Sequence, residues 1–164
     1  NNENYYNYEH LNRSWIKKIS LQYPKLNIKI KHHANFSGSE YENNFFKNTN
    51  VEILENKSIN FSYGYMNNSK IIFSFGSTTT LEAISMHKAG YFIDPFGRGK
   101  NFYYGLKNLD KIRIKNYSQL NRIIKENLFL LKKVNLKKKE YCLKSDNVSN
   151  RVFKFYKNYK WLNQ

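Results

Sequence analysis

The run Lys70 to Phe75 is continuous and apolar, and it stops at Gly76 directly before a helical pattern. A strand without a polar face must be covered on both sides, as the buried strands of parallel sheets are. That requirement governs how the rest of the chain is read. Leu11, Trp15, Ile19 and Tyr23 recur every four residues, which places them on one face of a helix over 8–23 that Pro24 ends. Leu26 to Lys31 and Val51 to Leu54 read as strands, with a polar loop, Asn35 to Glu42, after the first of them. Ser58 opens a helix running to about Asn67, and Thr79 to Lys88 forms another. Tyr91 to Ile93 is a second buried strand, Pro95 to Lys100 a glycine-containing loop, and Ile112 to Ile114 a further short strand. Ser118 then caps a helix carrying Leu120, Ile123, Ile124, Leu128 and Leu131, and Val148, Val152, Phe155 and Tyr159 mark a last one.

Strands that alternate with helices imply parallel pairing through right-handed crossovers. The fold class expected is therefore α/β, a Rossmann-like three-layer sandwich with a mostly parallel sheet. At 164 residues the chain suffices for one such domain, here residues 11–164. The first ten residues read as disordered or as a linker. Because the chain opens on Asn1 and on a helix, with no strand before it, we expect the C-terminal part of a longer protein, joined to an N-terminal half.

The charge requires an explanation. Twenty-eight Lys and Arg against twelve Asp and Glu give +16, which invites a nucleic-acid reading. However, the basic residues are spread along the chain, apart from Lys132, Lys133 and Lys137 to Lys139. Asn, Lys, Ile and Tyr are abundant together while Pro numbers 2 and Gly 7, a pattern that AT-rich codons produce whatever the function. We therefore expect no nucleic-acid partner, and instead a weak peripheral attraction to anionic lipid. No apolar run approaches the ~20 residues of a spanning helix. The single cysteine, Cys142, excludes an internal disulfide and a cysteine-based metal cluster, and it fits a cytoplasmic protein at the inner face of the membrane. His10 and His87 lack partners at ligand spacing, so no metal is expected.

Ligands of parallel α/β sheets bind beyond the strand C-termini, where three unusual clusters fall: His32 and His33, Gly76 to Thr80, and Asp94 to Lys100. At Gly76-Ser77-Thr78-Thr79-Thr80, a strand meets a helix through one glycine and four hydroxyls, a place suited to phosphate. By spacing alone, Thr79-x-x-Glu82 reads more readily as a capping box, in which Glu82 satisfies a backbone N–H.

Gly76-Ser77-Thr78-x-x-Leu81-Glu82-Ala83, followed by an apolar strand, resembles the donor-site signature of GT-B glycosyltransferases. The resemblance implies that Glu82 holds the ribose hydroxyls of a nucleotide sugar and that Ser77 and Thr78, with Gly76 and Thr79 beside them, meet its phosphate. Lys31-His32-His33-Ala34 is similar to the Lys-x-His-Pro motif of sialyltransferase-like and capsule-polysaccharide transferases. This makes His33 the catalytic histidine at the phosphate of the donor, with His32 as the alternative and Ala34 in the place of the proline. Asp94-Pro95-Phe96-Gly97-Arg98-Gly99-Lys100-Asn101-Phe102 resembles the Asp-Pro-x-Gly-Arg-Asn loop of surface-carbohydrate transferases; its Arg98 can pair with a phosphate bidentately, although an ordinary loop with a solvated arginine reads equally well. Together these resemblances imply a donor domain with no cofactor, a CMP- or UDP-linked sugar as substrate, and a glycan or lipid-linked acceptor met by the missing N-terminal domain. Two other readings remain. A non-hydrolysing UDP-sugar epimerase shares the fold but usually carries Ser-Gly-Gly before its glutamate, and a nucleic-acid module would interleave aromatics and lysines on one exposed face.

Overall fold

The chain enters on a helix, Asn2–Gln22 (α1), and continues through Ile28–Lys31 (β1), Glu40–Phe45 (α2), Val51–Leu54 (β2) and Ile59–Asn68 (α3). It then runs through Ile71–Ser74 (β3), Thr79–Ser85 (α4), Ala89–Ile93 (β4), Arg113–Ile114 (β5) and Tyr117–Ile124 (α5). This is a computed structural model, and it describes residues 2–32, 40–54, 59–75, 77–97 and 108–129. The expected last helix at 148–159 lies outside them.

Every strand pair is parallel. The chain thus has the Rossmann-like α/β architecture that the alternation predicts. The strands fall into two sheets, β1-β2 and β3-β4-β5. The composition of β1 accounts for the division, because Ile28-Lys29-Ile30-Lys31 offers one apolar face, whereas β4 buries four of its five residues. A strand with a lysine face is poorly suited to the middle of a covered sheet.

Helices cover both faces of the three-stranded sheet. Ile71 and Phe73 pack on one side into a cluster with Ile19 of α1 and Leu120, Ile123 and Ile124 of α5. Ile72, pointing the other way, meets Met66 of α3 and Ala83 of α4. The centre is dry: Phe92, Ile93, Ile112 and Ile114 are at most 1% exposed. Gly90 lets α4 approach this sheet, since a Cβ there would sit 2.6 Å from the Thr80 carbonyl oxygen. The α1–α5 contact is closed by the Tyr23 hydroxyl donating to Asn121 Oδ1 at 2.5 Å and the Tyr117 hydroxyl donating to Gln22 Oε1 at 2.8 Å.

Four local expectations are corrected. First, α1 begins at Asn2, so residues expected to be disordered are helical. Apolar periodicity reports packing, whereas a helix already nucleated extends through backbone bonds alone. Second, the polar loop at 35–42 gives way to α2 from Glu40, with Glu40 and Glu42 in its first turn, where acidic side chains suit the helix dipole. Third, α5 is capped by Asn116 rather than Ser118, because Asn116 is extended and its Oδ1 accepts from Gln119 N at 3.0 Å. Finally, α4 stops three residues early. His87 takes a left-handed φ of 59°, and Lys88 N donates back to Ala83 O at 2.9 Å, which closes the helix end.

Candidate functional site

The junction from β3 to α4 is built on buried hydroxyls. Thr80, fully buried, donates through Oγ1 to Tyr91 O at 2.9 Å, and its Oγ1 lies 2.5 Å from Ser74 Oγ. These bonds tie α4 to β3 and β4 and leave the neighbouring hydroxyls at the sheet edge. Ser77 Oγ accepts from Thr79 N at 3.2 Å and stands 2.8 Å from Thr79 Oγ1.

The capping box read from Thr79-x-x-Glu82 is not formed. Thr79 N is taken by Ser77, Glu82 N bonds to Thr78 O at 3.0 Å, and Thr78 starts the helix with no side-chain cap bond. The half-buried Glu82 carboxylate instead accepts from Thr78 Oγ1 at 2.8 Å. It also reaches Tyr63 on α3, whose hydroxyl pKa is raised by the charge of Glu82 first, then by burial and by a hydrogen bond with that carboxylate. Ser77, Thr78, Thr79 and Glu82 therefore meet at one place, and Tyr63 lies within reach of its charge. Tyr63 carried no sequence signal, since it sits mid-helix outside any motif.

The adjacent strand ends in a second cluster. Asp94, 2% exposed, follows β4, with its N–H bonded to Ile114 O at 2.8 Å. Arg113 Nη1 approaches Asp94 Oδ2 at 3.8 Å, and Arg113 Nη2 approaches Asp110 Oδ1 at 3.2 Å. The Arg113 side chain is 92% buried (8% exposed), and its Nε and Nη1 make no hydrogen bond. Arg113 was invisible in the sequence because only strand pairing brings it to Asp94.

The third cluster stands on the other sheet, so the clusters expected along one edge divide between two. His32 Nε2 lies 2.5 Å from Glu42 Oε2, close but off the line of a hydrogen bond, while Arg13 Nε donates to Glu42 Oε1 at 2.8 Å. Burial works against the charge on Arg13, but its hydrogen bonds and ion pairs with Glu42 and Glu9 outweigh that and raise its pKa. His32 thus belongs to an ion cluster joining α1, β1 and α2. His33, Gly76 and Arg98 lie outside the described residues.

A half-buried carboxylate bonded to one hydroxyl can accept from a diol, and hydroxyls can donate to neutral or anionic oxygens. Among the described residues there is no group of three or more His, Cys, Asp or Glu that could hold a metal ion, and no helix is long and apolar enough to cross a membrane. Comparison with known protein families, curated proteins and solved structures finds no match.

Proposed function

We propose that the chain is the nucleotide-sugar-binding half of a GT-B glycosyltransferase, which transfers a sugar from a CMP- or UDP-linked donor to a surface glycan or lipid-linked acceptor. The observation that carries this reading is the state of Glu82. In a capping box its carboxylate would be spent on the helix backbone, whereas here it accepts from the Thr78 hydroxyl at the C-terminal edge of a parallel sheet. Parallel α/β folds receive nucleotides at that edge.

In this reading Glu82 accepts from the ribose diol, and Ser77 and Thr78 donate to the phosphate, which Gly76 lets approach. His33 and Arg98 complete the stabilisation of the departing nucleotide. The acceptor base comes from a second Rossmann-like half. The protein works at the cytoplasmic face of the membrane, where its excess of lysines attracts anionic lipid.

Substituting Glu82 by Gln tests the reading directly. The amide keeps the side chain's length but offers one acceptor and one donor where a diol needs two acceptors. Hydrogen bonds to charged groups contribute ~1.5–3 kcal/mol, so affinity for the nucleotide should fall about tenfold to a hundredfold. Stability should change by only a few tenths of a kcal/mol, since no backbone cap is lost. Calorimetry with CMP, CDP, UDP and GDP, run beside thermal melts, measures both. A Glu82→Gln protein that melts lower and binds as before would exclude the donor site.

A further inference from the structure

Each of α1 to α4 leads into a strand and the paired strands are parallel, so the helices end at the edge where the strands begin. Helix dipoles favour acids at one end and cations at the other, and the charges are sorted accordingly. Glu40, Glu42 and Glu82 stand in the first turns of α2 and α4, toward the strand C-terminal edge, and Asp94 follows β4. At the opposite edge, the turns entering β1, β2, β3 and β4 (residues 23–27, 46–50, 69–70 and 86–88) hold Lys25, Lys47, Lys70 and Lys88, one lysine each, and no Asp or Glu. The first residues of β1, β3 and β4, Ile28, Ile71 and Ala89, pack against one apolar cluster, which brings the starts of both sheets to the same side. Lysines dispersed in the sequence thus share one edge.

We infer that this strand N-terminal edge is the surface on which the protein docks to an anionic lipid bilayer, with Lys25, Lys47, Lys70 and Lys88 toward the headgroup phosphates and Leu21 entering among them. The inference rests on the reading that places the protein at the membrane, and the donor site plays no part in it. Lys25, Lys47 and Lys70 are exposed, and among the described residues their side chains make no hydrogen bond or ion pair. Lys88 donates to Asn67 O at the same edge. The acids nearest in sequence are engaged, Glu52 with Lys29 and Asp110 with Arg113 and Lys115. Leu21, in the last turn of α1, is 62% exposed, whereas the exposed aromatics Tyr41, Phe75 and Phe96 lie toward the other edge. A leucine among lysines suits a lipid interface, and single-stranded nucleic acid would call for the aromatics on the lysine side. Position matters because the attraction fades within a Debye length, about 8 Å at physiological salt. A four-residue strand spans ~13 Å, so cations at its far end contribute little to a bilayer at its start. The Ser77–Glu82 cluster, at the far ends of the strands, then faces water.

The test sediments the full chain with vesicles of phosphatidylcholine, alone or with about 30% phosphatidylglycerol, at about 0.15 M salt. Wild type should bind the anionic vesicles and not the neutral ones. Lys25→Gln with Lys70→Gln removes one cation ahead of each sheet, and Lys31→Gln with Lys115→Gln removes the same charge from the strand C-terminal ends. A lysine near an anionic surface contributes about fivefold in affinity, so the first pair should lose about tenfold to thirtyfold and the second less than about threefold. Melting temperatures of the first pair should stay within about 3 °C of wild type, since neither side chain is bonded. Leu21→Asn should weaken vesicle binding about threefold to tenfold, a loss that persists as salt is raised. Equal losses in the two pairs would spread the attraction over the whole surface and overturn the docking edge, while leaving the membrane reading in place. Failure of wild type to prefer anionic vesicles overturns both, and nucleotide calorimetry decides the donor site separately. Sub-micromolar affinity for a DNA or RNA duplex that the first pair abolishes, without vesicle binding, would assign the edge to nucleic acid instead.

Discussion

The two sheets of this protein are held together by different chemistry. In β3-β4-β5 the first two strands are largely apolar on both faces, helices cover both sides, and Phe92, Ile93, Ile112 and Ile114 are sealed from water. In β1-β2 only Leu54 is buried, and the Lys29–Glu52 pair bridges the two strands at the surface. From β1, Ile28 reaches the main apolar cluster, and at the end of that strand stands an ion cluster, Arg13, Glu42 and His32. The comparison shows where a site can be kept in fixed geometry. The Ser77–Glu82 cluster is anchored through Thr80 to the dry sheet, whereas His32 stands against the ion pair of Arg13 and Glu42.

If that contrast is real, truncations should separate the sheets. Ile114→Ala removes a fully buried side chain and should cost roughly 3–4 kcal/mol, whereas Ile30→Ala, half-buried on β1, should cost about 1 kcal/mol. Urea denaturation of the two variants measures the difference, and equal losses would mean that one core serves both sheets. Next in size is Glu42→Gln, which leaves Arg13 and His32 without their anion. Complete burial would make this loss ~3–5 kcal/mol, but the Arg13 and His32 side chains keep about a fifth of their exposure, so roughly 2–3 kcal/mol is expected. A loss below about 0.5 kcal/mol would show that the ion cluster does not hold β1.

The smallest effect lies at alkaline pH and belongs to the dry sheet. Burial raises the Tyr91 phenol above its ordinary value of 10.0, helped by the charge of Glu126 and opposed by a hydrogen bond with Asn127. The unfolded chain therefore loses that proton first, and above about pH 10 the folded state binds more protons than the unfolded one. Stability is fully present below that pH and declines as pH rises toward the folded value. Tyr91→Phe should flatten the decline in denaturation curves taken between about pH 9 and pH 11. An unchanged slope would assign the loss to Tyr23 and Tyr117, whose pKa values burial also raises.

Much of the architecture is legible in the order of apolar runs. Val51 to Leu54 is a strand with the expected bounds, β3 and β4 fall where their composition is most apolar, and Ile19, Leu120, Ile123 and Ile124 are buried as their spacing predicts. Elements without an apolar pattern were missed. α2, at six residues, is too short to show a repeat, and the residue it buries, Glu42, is charged.

The candidate site was legible only in part. Ser77, Thr78, Thr79 and Glu82 are close in sequence, and a strand-to-helix junction had to bring them together. Their partners could not be read, because Thr79-x-x-Glu82 is compatible with a capping box and with the Thr78 contact that forms instead. By itself the sequence determined a parallel α/β chain with hydroxyls and a carboxylate at a strand end, since short-range apolar periodicity and the solvation of the backbone require no more than local information. Only the tertiary structure decided that Arg113 meets Asp94 and that His32 meets Glu42. Each of those pairs depends on how helices and strands distant in sequence are packed and registered against one another, and no pattern within either segment encodes the identity of its partner.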